Sequence, residues 1–383
     1  MTTVWDCVRV LESHYDPRWA ESWDAVGLSV GDLPAAVEHV VFAVDPTPDV
    51  AAEAVAAGAH LLVTHHPLFL RGTHAVATTT PGGRVVHTLV RGGCALFTAH
   101  TNADVARPGV SDALAAALGV VDTEPLSVSA ELSAATGQDK LVVFVPADDR
   151  ARVLEALSVA GAGRIGDYER CAWWTSGTGT FRPLTGADPT VGAVGRIEEV
   201  SEDRLELVVP RSRRSAVIAA LRSAHSYEEP AFDVVPVVTA EPGDRTRGLG
   251  RIGRLAEPTT LDRFCSLIAD ALPRTAAGVR ATGDADRVVR RVAVCGGSGG
   301  GLAATAAAGG ADVLVTADGR HHTVLDTVLE TGLALVDVAH WASEWPWLGD
   351  AARLLADELL AAGMSVTTAV SERVTDPWQL HRA

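Results

Sequence analysis

The chain has 383 residues, of which 47% are hydrophobic and 21% are charged. This length and composition predict two or three domains with sizeable cores, and they exclude a disordered or fibrous protein. The 48 acidic and 32 basic residues leave a formal net charge of −16, which repels nucleic-acid phosphates and anionic lipid. A protein that binds nucleic acid or a membrane surface is therefore not expected.

Lysine and cysteine usage narrows the chemistry further. Lys140 is the only lysine and no Gly-Lys-Ser/Thr sequence occurs, which excludes a Walker-type phosphate loop and disfavours a Schiff-base mechanism. The five cysteines are far apart and form no Cys-x-x-Cys pair, so neither a disulfide framework nor a thiolate zinc site is expected. The sequence shows no signal peptide and no apolar run of membrane-spanning length, which predicts a cytoplasmic protein.

The first third of the chain alternates short β-branched runs with an alanine-rich stretch. Strands are predicted at 40–44, 61–63 and 95–98, and a helix at about 49–57. This alternation is typical of α/β layers.

The composition changes between residues 122 and 244, where Gly/Thr/Pro clusters and a Trp-Trp pair occur. The order of elements predicts a split βαβ, ferredoxin-like module, with Pro125 and residues 242–244 as hinges. The predicted strands are 141–146, 170–174, 191–198, 204–209 and 231–238, and the predicted helices are 150–160 and 211–223.

The last third returns to the α/β pattern. Strands are predicted at 292–294, 313–315 and 333–338, alternating with the segments 302–308 and 325–329. Gly-Ala-His-Leu-Leu-Val-Thr at 58–64 parallels Gly-Ala-Asp-Val-Leu-Val-Thr at 310–316. We therefore predict two similar α/β lobes, 1–121 and 248–383, with an inserted ferredoxin-like α+β domain at 122–247.

Three predicted strands are each followed by imidazole or carboxylate side chains. His65 and His66 close the second strand, Asp104 follows the third, and His340 and Glu344 follow the strand at 333–338. Ligand sites in α/β folds lie at the carboxyl ends of strands, so we expect these five residues to meet. Convergence of the two adjacent histidines requires a backbone turn, because side chains alternate along a strand.

Local sequence around the candidate ligands gives further expectations. His100 and Asn102 could orient the ligands by hydrogen bonding. Ser343 is predicted as a helix N-cap, with Pro346 in the first turn. Five nitrogen and oxygen ligands are too many for one tetrahedral ion and suit two ions bridged by a carboxylate; Zn, Fe, Mn, Co and Ni all remain open.

The chain resembles the GTP cyclohydrolase 1 type 2 homologs, also called NGG-interacting-factor-like proteins. The matching motifs run in the family's order through both outer thirds of the chain. They are WDAVGL at 23–28, THHPLF at 64–69, HTNAD at 100–104, GLGRIG at 248–253, VTADGRHH at 315–322 and HWASE at 340–344.

The resemblance implies a dinuclear metal centre whose ligands are the five residues named above, with Glu344 bridging. It also implies a toroidal homohexamer with the metal sites facing an inner cavity. Longer members carry an inserted module resembling the PII/CutA fold, to which 122–244 corresponds, including His-Ser-Tyr-Glu-Glu-Pro at 225–230.

Other polar motifs have both functional and structural interpretations. Asp318 and His322 follow the strand at 313–315 and are candidates for proton transfer, although a polar loop with a helix cap would look the same. The glycine-rich segment 295–301 could cradle an anion, but a tight turn is the favoured interpretation. The cluster at 225–230 is interpreted as a turn rather than a metal site.

Two functions fit these observations. The first is a metal-dependent hydrolase of a nucleotide or small heterocycle, in which two ions activate water and His322 or Asp318 moves a proton. The alternative is a non-catalytic metal-binding or regulatory assembly in which the middle module senses a ligand.

Overall fold

A computed structural model describes residues 1–127, 138–166, 168–237 and 246–382. The chain separates into two compact units, Met1–Ser129 with Arg245–Ala383, and Ala130–Asp244. The second unit thus begins at 130, where the sequence predicted 122, and ends at 244, where it predicted 247. In the described part of the chain, no helix is both long and apolar enough to cross a lipid bilayer.

The elements alternate as the sequence predicts in both outer thirds. The strands of the described residues are β1 Gly27–Val30, β2 His39–Ala43, β3 Leu61–Thr64, β4 Ala95–Thr98, β5 Val120–Ser127, β6 Gln138–Pro146, β7 Ala172–Phe181, β8 Glu198–Pro210, β9 Phe232–Val237, β10 Leu249–Thr260, β11 Arg280–Ala281, β12 Val288–Val294, β13 Val313–Ala317, β14 Ala334–Val338 and β15 Thr367–Val370. The α-helices are α1 Val4–His14, α2 Pro48–Ala56, α3 Pro81–Gly92, α4 Thr101–Val105, α5 Val110–Ala117, α6 Arg150–Val159, α7 Arg214–Ala224, α8 Leu261–Ala271, α9 Ala303–Ala308, α10 His321–Thr331 and α11 His340–Ala361.

The first unit is built on two sheets of similar design. Their strand orders are β1-β4-β3-β2-β15 and β11-β14-β13-β12-β10-β5. Four consecutive strands run parallel in the first sheet and three in the second, and the short first strand of each order pairs antiparallel. Strands β3, β4 and β13 are buried along their whole length, as expected for parallel strands covered on both faces. The predicted two-lobed α/β fold is confirmed.

The two sheets exchange edge strands. Strand β15, from the end of the chain, pairs with β2, whereas β5 pairs with β10 of the second sheet. Pro125 lies inside β5, so its prediction as a hinge is wrong. It is tolerated because β5 is an edge strand, where a proline need not donate to a neighbouring strand. The other predicted hinge, 242–244, lies outside the described residues.

The second unit has the order β6-α6-β7-β8-α7-β9 and an antiparallel sheet ordered β7-β8-β6-β9. This is the split βαβ topology that the sequence predicts. The strand predicted at 204–209 lies within β8, which spans Glu198–Pro210, whereas the separate strand predicted at 191–198 is wrong. The residues before it form a loop in which Gly192 and Gly195 adopt positive φ angles of 87° and 85°.

The core of the first unit fixes the long helix α11 against both lobes. Trp347 on this helix is 1% exposed, and its indole packs edge-on against Tyr15 of α1 with ring centroids 5.5 Å apart. The Trp347 Nε1–H donates to the Tyr15 hydroxyl at 3.1 Å. These contacts hold the first turns of α11, which carry two of the predicted metal ligands, in a fixed position.

Candidate metal centre

The parallel strands of both sheets direct polar residues to one region of the first unit. Each of these strands is followed at its carboxyl end by a residue that could bind or orient a ligand, as the general geometry of α/β folds predicts. The residues are Asp45 after β2, His65 and His66 after β3, His100 and Asp104 after β4, Gly297 after β12, Asp318 after β13, and His340 and Glu344 after β14.

The carboxylate of Glu344 lies at the centre of this cluster and is 3% exposed. Its Oε1 is 2.9 Å from His340 Nε2 and 3.4 Å from His65 Nε2. Its Oε2 is 3.2 Å from His66 Nε2. Both oxygens of one buried carboxylate therefore face imidazole nitrogens, which come from three histidines in two separate segments.

Asp104 completes the set of five on the side of His65. Its Oδ1 is 3.7 Å from His65 Nε2, beyond hydrogen-bonding distance. His65 Nε2 and Glu344 Oε2 are buried and have no hydrogen-bond partner in the described structure. Buried polar atoms of this kind are costly unless they bind something, so the site fits a cation that would ligate them.

Neighbouring residues fix the orientation of every histidine in the site. The Nδ1 atoms pair with the Ala99 carbonyl at 2.9 Å for His65, with Asp45 at 2.7 Å for His66, and with Asp318 at 2.7 Å for His340. Each imidazole thus presents Nε2 to Glu344, the arrangement that ligating histidines require.

His100 lies beside the cluster and packs its ring 5.2 Å from His65 and 5.4 Å from His66. Its Nδ1 is 2.8 Å from Asp24, and its backbone N–H donates to Asn102 at 2.9 Å. Sequence reasoning identified His100 and Asn102 as orienting residues. It missed Asp45 and the role of Asp24, although Asp45 could have been found as the first polar residue after strand β2.

Helix α11 begins four residues earlier than predicted. It starts at His340 with Ala339 as N-cap, so Ser343 is not a cap and Pro346 lies inside the helix. His340 and Glu344 are consequently four residues apart on one helix, which places them on the same face. Ser343 instead accepts a hydrogen bond from Gly297 N–H at 2.9 Å and donates to the His340 carbonyl at 2.7 Å.

The glycine-rich segment 295–301 packs directly against Glu344. A Cβ on Gly297, whose φ is +64°, would lie 2.5 Å from Glu344 Oε1. The N–H groups of Gly297 and Gly299 donate to Ser343 and Thr316, so they are not free to cradle an anion. The structure thus supports the tight turn favoured from sequence and shows that the turn makes room for the central carboxylate.

The charges of the cluster are strongly coupled. Burial alone would lower the pKa of the imidazoles, but the negative charge of Glu344 outweighs it, raising the pKa of His66 well above its usual value and that of His340 to about 9. Burial alone would raise the pKa of Glu344, but His66 and His65 hold it well below its usual value. Protons on the imidazoles thus neutralise the negative charge of Glu344, and a divalent cation would displace these protons on binding.

A cavity of about 650 Å³ opens over the cluster, and Asp45, His66, His100, Asp318 and His340 are among its lining residues. Asp318 lies here with its φ at +56°, paired to His340. His322 is exposed near the start of α10, its ring 5.2 Å from that of His321, and it does not line this cavity.

The C-terminal segment after β15 forms one wall of the site. Thr375 Oγ1 donates a hydrogen bond to Asp45, whose other carboxylate oxygen orients His66. Asp376 is 5% exposed, and burial raises the pKa of its carboxyl group. No sequence signal connected residues 375 and 376 to the strand ends.

Comparison with known proteins places this site in context. A family model described as Duf34/NIF3 (NGG1p interacting factor 3) matches residues 2–377. The chain is 50% identical over 378 residues to the "GTP cyclohydrolase 1 type 2 homolog" of Mycobacterium tuberculosis, covering 98% of this chain and 96% of that protein. It is 39% identical over 340 residues to the protein of the same name from Bacillus subtilis, covering 88% of each.

Two solved structures extend the similarity to the fold. A Bacillus cereus protein related to NIF3 superposes with a TM-score of 0.68 at 36% identity, over 99% of both chains. Staphylococcus aureus protein SA1388 superposes with a TM-score of 0.72 at 27% identity, again over 99% of both chains.

Proposed function

Because this chain belongs to the Duf34/NIF3 family and gathers four candidate metal ligands around the buried carboxylate of Glu344, we propose that it binds two divalent metal ions and hydrolyses a nucleotide or a small heterocycle. The observation that carries the proposal is the position of Glu344, whose Oε1 faces His65 and His340 and whose Oε2 faces His66. The names of the relatives support a nucleotide-related substrate.

The five residues divide into two overlapping ligand sets. We assign His65 and Asp104, whose facing atoms are 3.7 Å apart, to one set and His66 and His340 to the other, with Glu344 shared by both. His66, His340 and Glu344 bring ligand atoms within 4.8 Å of one another, a spacing that suits one ion. Nitrogen and oxygen ligands without thiolate suit Zn, Fe, Mn, Co or Ni.

The protein's own groups would prepare the reaction. Asp45 and Asp318 hold His66 and His340 in the tautomer that leaves Nε2 free as a ligand. A pair of bound ions would supply Lewis acidity toward a substrate oxygen and would activate water. Asp318 also lines the cavity over the site and is the described carboxylate best placed to accept a proton there; His322 stays a candidate from the sequence.

The proposal is tested by metal content and turnover together. The purified protein is loaded with Mn, Zn or Fe, its metal content is measured, and it is incubated with a panel of nucleoside triphosphates, phosphoesters and cyclic amides. We expect two ions per chain and turnover that chelators abolish. A fully loaded protein that turns over no member of the panel would favour the alternative, a metal-binding or regulatory assembly.

We also propose that the chain assembles into a homohexamer. Helix α10 supports self-association, because no residue of this helix is buried although Leu325 and Leu329 are 43% and 74% exposed. Native mass spectrometry should show an assembly of six times the 39.9 kDa chain mass. The Leu329→Arg variant should form smaller assemblies.

A further inference from the structure

The second unit contains a cavity of about 410 Å³ whose lining residues all belong to that unit, whereas the proposed metal ligands all belong to the first unit. It is located on the face of the sheet opposite helices α6 and α7. On β6, Val143 and Val145 face the core shared with these helices, so Phe144 between them points to the other face. A volume of this size suits a small organic ligand.

Three aromatic side chains contribute to the walls of the cavity. Phe144 comes from β6, Phe181 from the end of β7, and Tyr227 from the His-Ser-Tyr-Glu-Glu-Pro motif. The rings of Phe181 and Tyr227 lie 6.1 Å apart. The Tyr227 hydroxyl is buried without a hydrogen-bond partner among the described residues, which leaves a polar group available to a ligand.

The loop between β7 and β8 covers the cavity and is fastened to the same motif. The Asp188 N–H donates to Glu228 at 3.0 Å, and the Thr190 hydroxyl donates to the Ser226 carbonyl at 2.7 Å. One wall of the cavity is therefore formed by a loop that hydrogen bonds hold in place.

The charges lining the cavity are predominantly negative. Three carboxylates, Glu202, Glu228 and Glu229, face one guanidinium, that of Arg182. The Glu202 carboxylate lies over Gly179, where an added Cβ would be 2.0 Å from Glu202 Oε2. Burial, and next the Glu202 carboxylate, raise the pKa of Tyr227 to about 12, so its hydroxyl stays protonated at neutral pH.

The motif that supplies Tyr227 does not offer a metal site. His225 is 7% exposed, and both its ring nitrogens are engaged. Its Nε2 donates to the Phe144 carbonyl at 2.9 Å, and its Nδ1 accepts from the Tyr227 N–H at 3.0 Å. The histidine thus links the backbones of Phe144 and Tyr227, which line the cavity, and the aromatic side chains there favour an organic ligand over a metal ion.

We propose that this cavity binds a small organic cation, a protonated amine carried on a flat apolar body. The aromatic rings attract a cation through their π faces, and the Glu202 carboxylate supplies a charge-assisted hydrogen bond to the ammonium group. The apolar body would fill the space under the loop at 182–197. The proposal is independent of the metal centre and of the hydrolase reaction.

The test is isothermal titration calorimetry of the full chain with amines, alcohols and carboxylic acids that carry the same aromatic ring. The amines are tryptamine and phenethylamine. Each amine is compared with the alcohol and with the acid that share its ring. We expect the amines to bind roughly tenfold more tightly than the alcohols, because only the amines carry the charge. The acids should not bind, since the cavity is negatively charged.

Variants assign the binding to the cavity. Glu202→Gln should weaken amine binding about tenfold and leave alcohol binding unchanged. Glu199→Gln removes the same charge from an exposed residue of the same strand and should have no effect. Phe181→Leu, which keeps an apolar side chain, should also weaken the amines. The proposal is overturned if neither amine binds at millimolar concentration, if the acids bind equally well, or if the two glutamate variants behave alike.

Discussion

The buried carboxylate of Glu344 is the residue on which the candidate metal centre depends. Its oxygens lie 2.9 to 3.4 Å from three imidazole nitrogens, whereas Asp104 approaches only one of them, at 3.7 Å. If Glu344 binds both ions and Asp104 binds only one, replacing Glu344 should remove more metal than replacing Asp104.

Glu344→Ala should empty both metal positions, because it removes the one side chain that serves both ligand sets. Asp104→Ala should leave the second position, formed by His66 and His340, largely filled. Elemental analysis of the purified variants measures the number of ions per chain.

Asp357→Ala is the matched control for these variants, since it removes an exposed carboxylate from the same helix. It should retain the wild-type metal content. Full occupancy in Glu344→Ala, or one ion per chain in the wild type, would show that the carboxylate does not bridge two ions.

Asp203 gives a second test at the scale of a single residue. It is fully buried, accepts a hydrogen bond from Ser176 at 2.6 Å, and pairs with Arg150. The Ser176 hydrogen bond, together with Arg150 and against the cost of burial, holds the pKa of Asp203 below its usual value. Its carboxylate therefore stabilises the fold above the unfolded pKa of about 3.9, and this stability is lost as the pH falls through the folded value.

Asp203→Asn should cost about 2 kcal/mol of stability at pH 7, which corresponds to a roughly 30-fold loss of amide protection in β8. The difference from wild type should shrink below about pH 4. Hydrogen exchange measured by mass spectrometry gives the amide protection of β8 in wild type and variant at both pH values. Asp233→Asn, at an exposed position of β9, should leave protection unchanged at either pH.

At the scale of elements, the turn after β12 and the first turns of α11 form one unit around the site. Gly297 has a left-handed φ of +64°, and its missing side chain leaves the space that Glu344 occupies. Ser343 ties the two elements together through the Gly297 N–H. The proposed metal ligands on α11 are therefore positioned partly by a turn that contributes no ligand of its own.

Gly297→Ala should lower metal content without unfolding the protein, because its Cβ would lie 2.5 Å from Glu344 Oε1 and displace the carboxylate. Gly300→Ala, in the same loop, meets no atom within 4 Å and serves as the control. Elemental analysis and circular dichroism distinguish loss of metal from loss of fold. Equal metal content in the two variants would contradict this role of Gly297.

At the scale of the whole molecule, the first unit is assembled from segments at both ends of the sequence. Strand β5 precedes the second unit in the chain yet completes the sheet of the second lobe, where Glu124 pairs with Ile252 and Val121 with Arg254. The boundary at 122 predicted from sequence would cut through this strand. The edge that β5 covers on β10 would then be exposed.

Replacing Ala130–Asp244 by a short flexible linker should therefore give a soluble protein that still binds metal, because every proposed ligand lies in the first unit. Replacing 122–247 should give a protein that aggregates, because the backbone groups of β10 lose their partner strand. Size-exclusion chromatography and elemental analysis of the two deletions measure both properties. Loss of metal from a folded, soluble first deletion would show that the second unit supports the site.

The sequence by itself was sufficient to predict the α/β lobes and the ferredoxin-like order of the middle module. Apolar strands and amphipathic helices leave periodic patterns within short windows, so these elements can be recognised locally. The candidate ligands could be predicted for a related reason, because each directly follows a strand whose end is visible in the sequence. The strand predicted at 191–198 was wrong because the glycine-containing loop there resembles a strand in composition.

Only the tertiary structure decided which residues orient the ligands and which strands form the edges of the sheets. Asp45 meets His66 and Thr375, and β15 pairs with β2, although more than 300 residues separate the partners Asp45 and Thr375 in the chain. Such contacts depend on how the layers pack, and they leave no periodic signal near either partner. The sequence therefore determined which side chains are available to bind metal, and the packing of the two lobes determined how they are held.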